Sequence, residues 1–186
     1  MNKPIAFSRA VLAFAFAAVA MISLPAAMAA DGHVLDQDAN AALQHLYGKS
    51  PGAKALSETA KGVLVFPDIR KAAFIVGAQG GDGVLFEKGK PSEYYNSGAL
   101  SVGVQAGVTS YGYALFFMSD ADLEYLKKSK GWSLGVGPSI VVVDAGAAKD
   151  ISTMTGKAGV YAFIFDQKGL MAGLSLVGQK ITKINR

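Results

Sequence analysis

The chain has 186 residues, of which 51% are hydrophobic, with a formal net charge of +4 and no cysteine. This composition excludes a disordered chain, and the lack of cysteine excludes disulfides, a thiol nucleophile, a cysteine-bound metal and a lipidated N-terminal cysteine. All 22 glycines follow residue 31, where they make up about 14% of the chain, against about 7% in an average protein. They have no three-residue period, which excludes collagen.

The first 29 residues are predicted to be a secretory signal peptide. Lys3 and Arg9 precede or border an uncharged apolar run of 15 residues, 10–24. Small residues then lead to a cleavage site after Ala29, or after the neighbouring Ala30. The run is short for a membrane span, which needs about 20 residues, although an uncleaved anchor is the alternative. We therefore expect a periplasmic or extracellular protein.

Removal of the signal peptide lowers the net charge of the chain. Without Lys3 and Arg9, 16 basic residues face 14 acidic ones, a balance of about +2. That charge is too small to drive nucleic-acid binding, so no nucleic-acid partner is expected. The remaining chain is long enough for one domain with a packed core. We expect a helical segment at 30–61 and a β-rich segment at 62–186, joined in one globular unit.

Two helices are predicted at the start of this unit. An apolar stripe with helical spacing runs through residues 34–47, with Asp36 and Asp38 in the first turn and Gly48 as the stop. The stripe, expected to face the core, consists of Leu35, Ala39, Ala42, Leu43 and Leu46. A second helix is predicted at 51–61, with Ser50 as its cap and Pro51 at its first position.

From Gly62 the apolar pattern changes to a period of two, which predicts strands. Short strands are predicted at 63–66, 74–78, 84–86 and from 94 onward, with turns at 67–68, 80–83 and 88–91. The clearest strand is 100–109, and 134–142 and 170–176 repeat its design of small residues on one face. Glycine weakens a strand unless another element approaches closely or the sheet coils tightly. The pattern predicts an α+β fold with a strongly curved, mainly antiparallel sheet or barrel.

One helix, at 119–130, is predicted to interrupt the strands, with Ser119 as its cap and Asp122 three residues on. A cluster follows at its end, consisting of Lys127, Lys128, Lys130 and Trp132, the only tryptophan. These lysines either suit the negative end of the helix dipole or form, with the tryptophan, a cationic patch for lipid headgroups. A second candidate patch, or a solvated tail, consists of Lys180, Lys183 and Arg186.

Residue patterns typical of catalysis are missing from the sequence. His33 and His45 are the only histidines, and neither accompanies a defensible serine or acid pattern. The glycine-rich stretch 77–83 lies between predicted strands, which favours a hairpin turn over a phosphate-binding loop before a helix. The aspartates lack metal-ligand spacing. We expect a protein that is not an enzyme and that holds no metal and no cofactor.

Four glycine-rich blocks follow one another along the chain. They are residues 60–63, 74–85, 101–107 and 169–176. In this order the blocks resemble the SYLF domain, also called the lipid-binding or actin-binding SYLF domain, over roughly residues 60–184. The closing block, Gly-Leu-Met-Ala-Gly from Gly169 with Gly178 after it, is the most specific part of the resemblance.

The resemblance implies binding of membrane lipid. Eukaryotic SYLF proteins bind phosphoinositides and some bind actin, whereas bacterial members are similar to this chain in being exported, stand-alone domains. Actin is not expected in a bacterial periplasm, so the implied partner is a phospholipid membrane surface, with anionic lipid. The candidate contact residues are Lys127, Lys128, Lys130, Trp132, Lys180 and Lys183. The family's membrane-contacting helix has an acidic counterpart here, with Asp36 and Asp38.

Two alternatives from other classes stay open. A small outer-membrane β-barrel would suit an exported, glycine-rich chain with alternating strands. The predicted helices, the doubly apolar stretch 114–118 and the final residue Arg186, where such barrels usually carry an aromatic, oppose it. A periplasmic scaffold that binds protein partners is the other alternative, and those partners are unknown.

Overall fold

The structure, a computed structural model, describes residues 32–144, 158–168 and 176–186. These residues form the helices α1 (Gly32–Lys49), α2 (Pro51–Thr59) and α3 (Asp120–Lys128) and the strands β1 (Gly62–Glu87), β2 (Lys90–Phe117), β3 (Trp132–Ser133), β4 (Ile140–Asp144), β5 (Val160–Lys168) and β6 (Lys180–Ile184). None of the three helices combines the length and the apolar character that a membrane crossing requires.

The apolar stripe of α1 faces the core, as predicted. Its buried members are Leu35, Ala39, Leu43 and Leu46, and Ala42 packs against the same cluster. The predicted ends of the helix are wrong. Because α1 begins at Gly32, Asp36 and Asp38 lie beyond the first turn, and the helix continues through Gly48 to Lys49. The following residue, Ser50, donates its backbone N–H to the Leu46 carbonyl at 2.8 Å, as a residue of the helix would. The start of the next helix, and not Gly48, therefore ends α1.

The start of α2 confirms the predicted cap. Ser50 is fully buried, and its Oγ accepts a hydrogen bond from the backbone N–H of Ala53 at 3.3 Å. Pro51 occupies the first helical position, where its missing N–H leaves no intrahelical bond unmade. The helix ends at Thr59, two residues before the predicted Lys61.

Strands β1 and β2 form one long antiparallel hairpin, paired from Gly62 with Phe117 to Glu87 with Lys90. The turn between them, Lys88-Gly89, has φ angles of 52° and 76°. Two successive left-handed residues are typical of the tight hairpin turns that match the twist of the strands. The turn predicted at 88–91 is therefore confirmed, and it occupies only two residues.

The turn predicted at 80–83 is wrong, because these residues belong to β1 and pair with β2 from Gly80–Gly98 to Gly83–Tyr95. The glycines instead allow the second half of β1 to lie close to its first half. A Cβ atom at Gly83 would lie 2.6 Å from the Val65 carbonyl oxygen, and one at Gly81 would lie 2.3 Å from that of Asp68. Close approach is thus one reason for glycine in this sheet, as expected.

The sheet has the order β3-β6-β2-β5-β4, with β1 also paired to β2. Only β4 and β5 pair in parallel, and the other pairings are antiparallel. Together with the helices, this strongly curved half-barrel confirms the predicted α+β fold. The break predicted at 67–68 is a register shift between Phe66 and Ile69 that leaves β1 continuous.

The inserted helix α3 also confirms its predicted cap, since the Asp122 backbone N–H donates to Ser119 Oγ at 3.2 Å. The strand predicted at 134–142 is wrong in its first half. Gly135 and Gly137 have φ angles of 99° and 93°, which are incompatible with an extended strand, so only the part from Ile140 forms β4. The strand predicted at 170–176 lies outside the described residues, apart from its last residue, Leu176.

Two apolar clusters occupy the two faces of the sheet. Alternate residues of β1 divide between them, with Val63 and Val65 in the cluster under α1 and α2, and Leu64 and Phe66 in the cluster under α3. The second cluster also encloses polar side chains. Tyr113 donates to Ser97 Oγ at 2.7 Å, and Ser97 in turn hydrogen-bonds Gln179 Oε1 at 2.7 Å. This buried chain of hydrogen bonds ties the segment before β6 to β2.

Candidate functional site

The first predicted contact residue, Lys127, is neutralised by an ion pair. Its Nζ lies 2.8 Å from both carboxylate oxygens of Glu87, at the end of β1, and only 23% of its side chain is exposed. The hydrogen bond to Glu87 raises the pKa of Lys127 despite partial burial. Burial alone would raise the pKa of Glu87, but the hydrogen bonds from Lys127 and Ser92 lower it. Lys127 therefore joins α3 to the hairpin.

The next two lysines of the predicted cluster are more open to solvent. Lys128 is 79% exposed and pairs with Glu124 one turn earlier in α3, at 3.0 Å. Such exposed ion pairs contribute little to the stability of a fold. Lys128 can therefore pair readily with another partner. Lys130 is exposed, and among the described residues it has no ion pair.

The structure places Trp132 in the core, which contradicts its predicted role as an interfacial side chain. Only 1% of the residue is exposed, and its Nε1 donates to the Val136 carbonyl at 2.8 Å. Its ring packs against Phe117 and Tyr125, with centroid distances of 5.9 and 6.3 Å. Trp132 falls on the inward position of β3, and an indole buried with its N–H satisfied is a packing residue.

The two predicted lysine patches meet where β3 pairs with β6. Gly131, which follows Lys130, lies against Lys180, because a Cβ there would be 2.6 Å from Lys180 Cε and 3.5 Å from its Nζ. Lys180 is exposed, whereas Lys183 pairs with Glu93 at 2.7 Å. Of the six predicted contact residues, Lys130 and Lys180 are exposed and have no ion pair among the described residues.

A larger exposed feature lies in the middle of the β1–β2 hairpin, and sequence reasoning missed its exposure. Four large apolar side chains are 62–83% exposed there: Phe74, Val76, Leu100 and Val108. Phe74 and Val76 occupy every second position of β1 between Ala72 and Ala78. Ala72 pairs with Val108, and Ala78 pairs with Leu100. Opposed residues of antiparallel strands share a face. We call this surface, formed by Phe74, Val76, Leu100 and Val108, the ribbon face.

Cations lie at both ends of the ribbon face. At one end Arg70, two residues before Ala72 on the same side of β1, has a side chain that is 82% exposed. At the other end Gly98 pairs with Lys180, and Leu100 follows two residues later on the same side of β2. An apolar surface bordered by basic side chains is typical of contact with lipid interfaces.

Another cluster that spacing did not reveal connects α1 to β5. Asp166 Oδ2 lies 2.7 Å from His45 Nδ1, and Asp166 Oδ1 accepts from Lys49 Nζ at 2.8 Å. Burial raises the pKa of Asp166, but the hydrogen bonds from Lys49 and His45 outweigh it and hold that pKa below its ordinary value. His45 thus serves a helix–strand contact. The sequence separation of 121 residues gave no signal for it.

Within the described ranges, no group of three or more histidine, aspartate or glutamate side chains is arranged to hold a metal ion. The predictions that the protein needs no cofactor and is not an enzyme stay predictions.

Comparison with known proteins gives one family. Residues 98–186 match the family model described as Ysc84, a Las17-binding protein actin regulator. No curated protein matches the chain. The match contains two of the four blocks that carry the resemblance, 101–107 and 169–176, and it begins inside β2. This match covers just under half of the chain and is consistent with the SYLF domain that the glycine-rich blocks predicted.

Proposed function

We propose that this protein binds phospholipid membranes without catalysing a reaction, and that the ribbon face is its contact surface. The observation that supports the proposal is the exposure of Phe74 and Leu100, at 75% and 83%, on one face of one hairpin. Large apolar side chains grouped on a surface mark an interaction site more often than scattered ones. The family is known as a lipid- and actin-binding domain.

The proposed lipid is anionic and the proposed compartment is the periplasm or the cell exterior. Arg70 and Lys180 border the ribbon face, and Gly131, which follows Lys130, lies against the Lys180 side chain. Each basic residue near an anionic surface contributes about 1 kcal/mol. The predicted signal peptide, residues 1–29, supports export. Because actin is not expected outside a bacterial cell, we do not carry the family's actin-binding role to this chain.

Co-sedimentation with vesicles tests the proposal. The protein, expressed with its own N-terminal segment, is mixed with vesicles of phosphatidylcholine alone or with phosphatidylglycerol added. The variant Phe74→Gln/Leu100→Gln should bind at least about tenfold more weakly, because each large apolar side chain contributes about 1.5–3 kcal/mol when buried. Variants are compared in identical preparations, so that any contribution of the N-terminal segment is the same in all of them.

The matched control is Val34→Gln/Val177→Gln, which replaces two exposed apolar side chains outside the ribbon face, 49% and 71% exposed. It should bind like the unchanged protein, and circular dichroism should show that both variants are folded. Equal binding by the control and the ribbon-face variant would exclude the ribbon face. No binding to either vesicle would exclude lipid binding and favour a scaffold that contacts protein.

A further inference from the structure

A cavity of about 690 Å³ opens at the Arg70 end of the ribbon face. Its lining contains charged and hydroxyl side chains: Asp68, Arg70, Thr109, Ser110, Asp166 and Lys168. The cavity lies where β1, β2 and β5 run side by side, and it shares Val108 with the ribbon face. Its chemistry differs from that of the ribbon face, because its polar donors come from three different strands.

Arg70, Ser110 and Lys168 form one row across these strands. Arg70 pairs with Ser110 in the β1–β2 register, and Ser110 pairs with Lys168 in the β2–β5 register. Directly paired residues point to the same side of a sheet, and neighbouring strands lie about 4.8 Å apart. Arg70 and Lys168 therefore lie on either side of Ser110 on one face of the sheet, and both side chains are long enough to reach a ligand placed over it.

Donors in this row remain available to a ligand. Arg70 donates its Nε–H to Asp68 Oδ2 at 2.8 Å, which uses one of the five N–H donors of a guanidinium. Lys168 is exposed and has no ion pair among the residues that the structure describes. The carboxylate of Asp166 is already occupied by His45 and Lys49, so it does not compete for Lys168.

A buried hydroxyl in the same cavity also lacks a partner. Thr109 is 1% exposed, and its Oγ1 has no hydrogen-bond partner within the described ranges. Because successive residues of a strand point to opposite faces, Thr109 lies on the other face of β2 from Ser110 and is not part of the row. Two register shifts border the cavity, between Phe66 and Ile69 and between Ser110 and Gly112. Such bulges redirect side chains and are enriched beside functional sites.

We propose that the row of Arg70, Ser110 and Lys168 binds the phosphate group of a ligand. A guanidinium, an ammonium group and a hydroxyl supply donors of three kinds, and a tetrahedral phosphate offers enough oxygens to accept from all of them. The inference rests on the proposed function, since the row continues the ribbon face. A phospholipid with its headgroup phosphate in the row would have its apolar part beside Phe74. A soluble phosphate compound offers the same chemistry.

The test compares two variants that each lose two positive charges. The variant Arg70→Gln/Lys168→Gln removes both cations of the row, and Lys54→Gln/Lys90→Gln removes two exposed lysines elsewhere. With phosphatidylglycerol vesicles, the row variant should bind about tenfold more weakly per cation removed, since charge-assisted hydrogen bonds contribute about 1.5–3 kcal/mol. The control should lose only the smaller, salt-dependent contribution that both variants share.

A second arm identifies the source of the phosphate. Sodium phosphate, compared with sodium chloride at equal ionic strength, should shift the backbone amide NMR signals of Ser110 and Lys168 in the unchanged protein and not in the row variant. If vesicles bind but the row and control variants are equal and phosphate shifts nothing, the inference is wrong and the proposed function stands. If phosphate shifts the signals while vesicles do not bind, the row serves a soluble phosphate compound and the membrane function is wrong.

Discussion

At the scale of single residues, Trp132 shows how burial decides between two roles that a sequence leaves open. A tryptophan after a lysine-rich helix end suits a lipid interface, and it equally suits a core position with its N–H satisfied. The structure selects the second, with the indole N–H on the Val136 carbonyl and 1% of the residue exposed. The lysines before it therefore lose their apolar partner at the surface.

Because Trp132 is the only tryptophan, intrinsic fluorescence reports on this position alone. We predict that its emission lies well to the blue of that of the urea-unfolded protein and that acrylamide quenches it poorly. Phosphatidylglycerol vesicles should leave both properties unchanged at concentrations where the protein sediments with them. A blue shift or a loss of quenching on vesicle binding would contradict the buried position, since it would require an indole that moves from water into lipid.

At the scale of elements, the ion pair of Lys127 and Glu87 attaches α3 to the end of the hairpin. The two side chains are 23% and 29% exposed, and we predict that Lys127→Met lowers the free energy of unfolding by about 1 kcal/mol at pH 7. Lys128→Met is the matched control. It breaks an exposed pair within one helix and should change that free energy by less than about 0.5 kcal/mol. Urea unfolding measures both.

The effect of Lys127→Met on the free energy of unfolding should depend on pH, because Lys127 is paired with a carboxylate. Although burial raises it, the pKa of Glu87 is lowered below 4.5 by its hydrogen bonds from Lys127 and Ser92. A lowered carboxylate pKa stabilises the fold above the ordinary value and loses that effect as the pH falls through the folded value. The difference between Lys127→Met and the unchanged protein should therefore persist at pH 6 and shrink progressively as the pH is lowered below the ordinary carboxylate value. A difference that does not shrink over that acidic range would contradict an electrostatic origin.

The elements that the sequence predicted correctly are those whose signals are local. The caps at Ser50 and Ser119, the stripe of α1 and the turn at Lys88-Gly89 all depend on residues within a few positions of one another. The turn expected at 80–83 was wrong because its glycines permit close contact with Val65 and Asp68, which lie more than ten residues away in the chain.

The candidate site was predictable only in part, for the same reason. Lys130 and Lys180 were both singled out as basic residues, but only the pairing of β3 with β6 brings Gly131, next to Lys130, against the Lys180 side chain. The alternating apolar pattern of 100–109 predicted a strand and one apolar side, yet it did not predict that Leu100 and Val108 would face away from the core. Periodicity shows which residues share a face, and only the packing of the other elements shows whether that face is covered.

At the scale of the whole molecule, the residues that match the family pair and pack with residues outside the match. The match begins at residue 98, but β2 pairs with β1 over nearly its whole length. The cluster under α1 and α2 combines residues on both sides of that boundary, with Leu46 and Val65 before it and Phe116 and Phe163 after it. Removal of the earlier residues would expose one side of the sheet and the whole edge of β2.

We therefore predict that a fragment of residues 98–186 does not fold on its own, whereas residues 31–186 fold cooperatively. A long strand with one open edge and an uncovered apolar face favours association between chains, so the short fragment should show no cooperative urea transition and should aggregate. The longer fragment, which keeps α1, α2 and β1, should show one transition by both circular dichroism and Trp132 fluorescence. A cooperative transition in the short fragment would mean that β1 and the two helices are additions to a self-sufficient domain. Its absence would mean that the folding unit extends to α1.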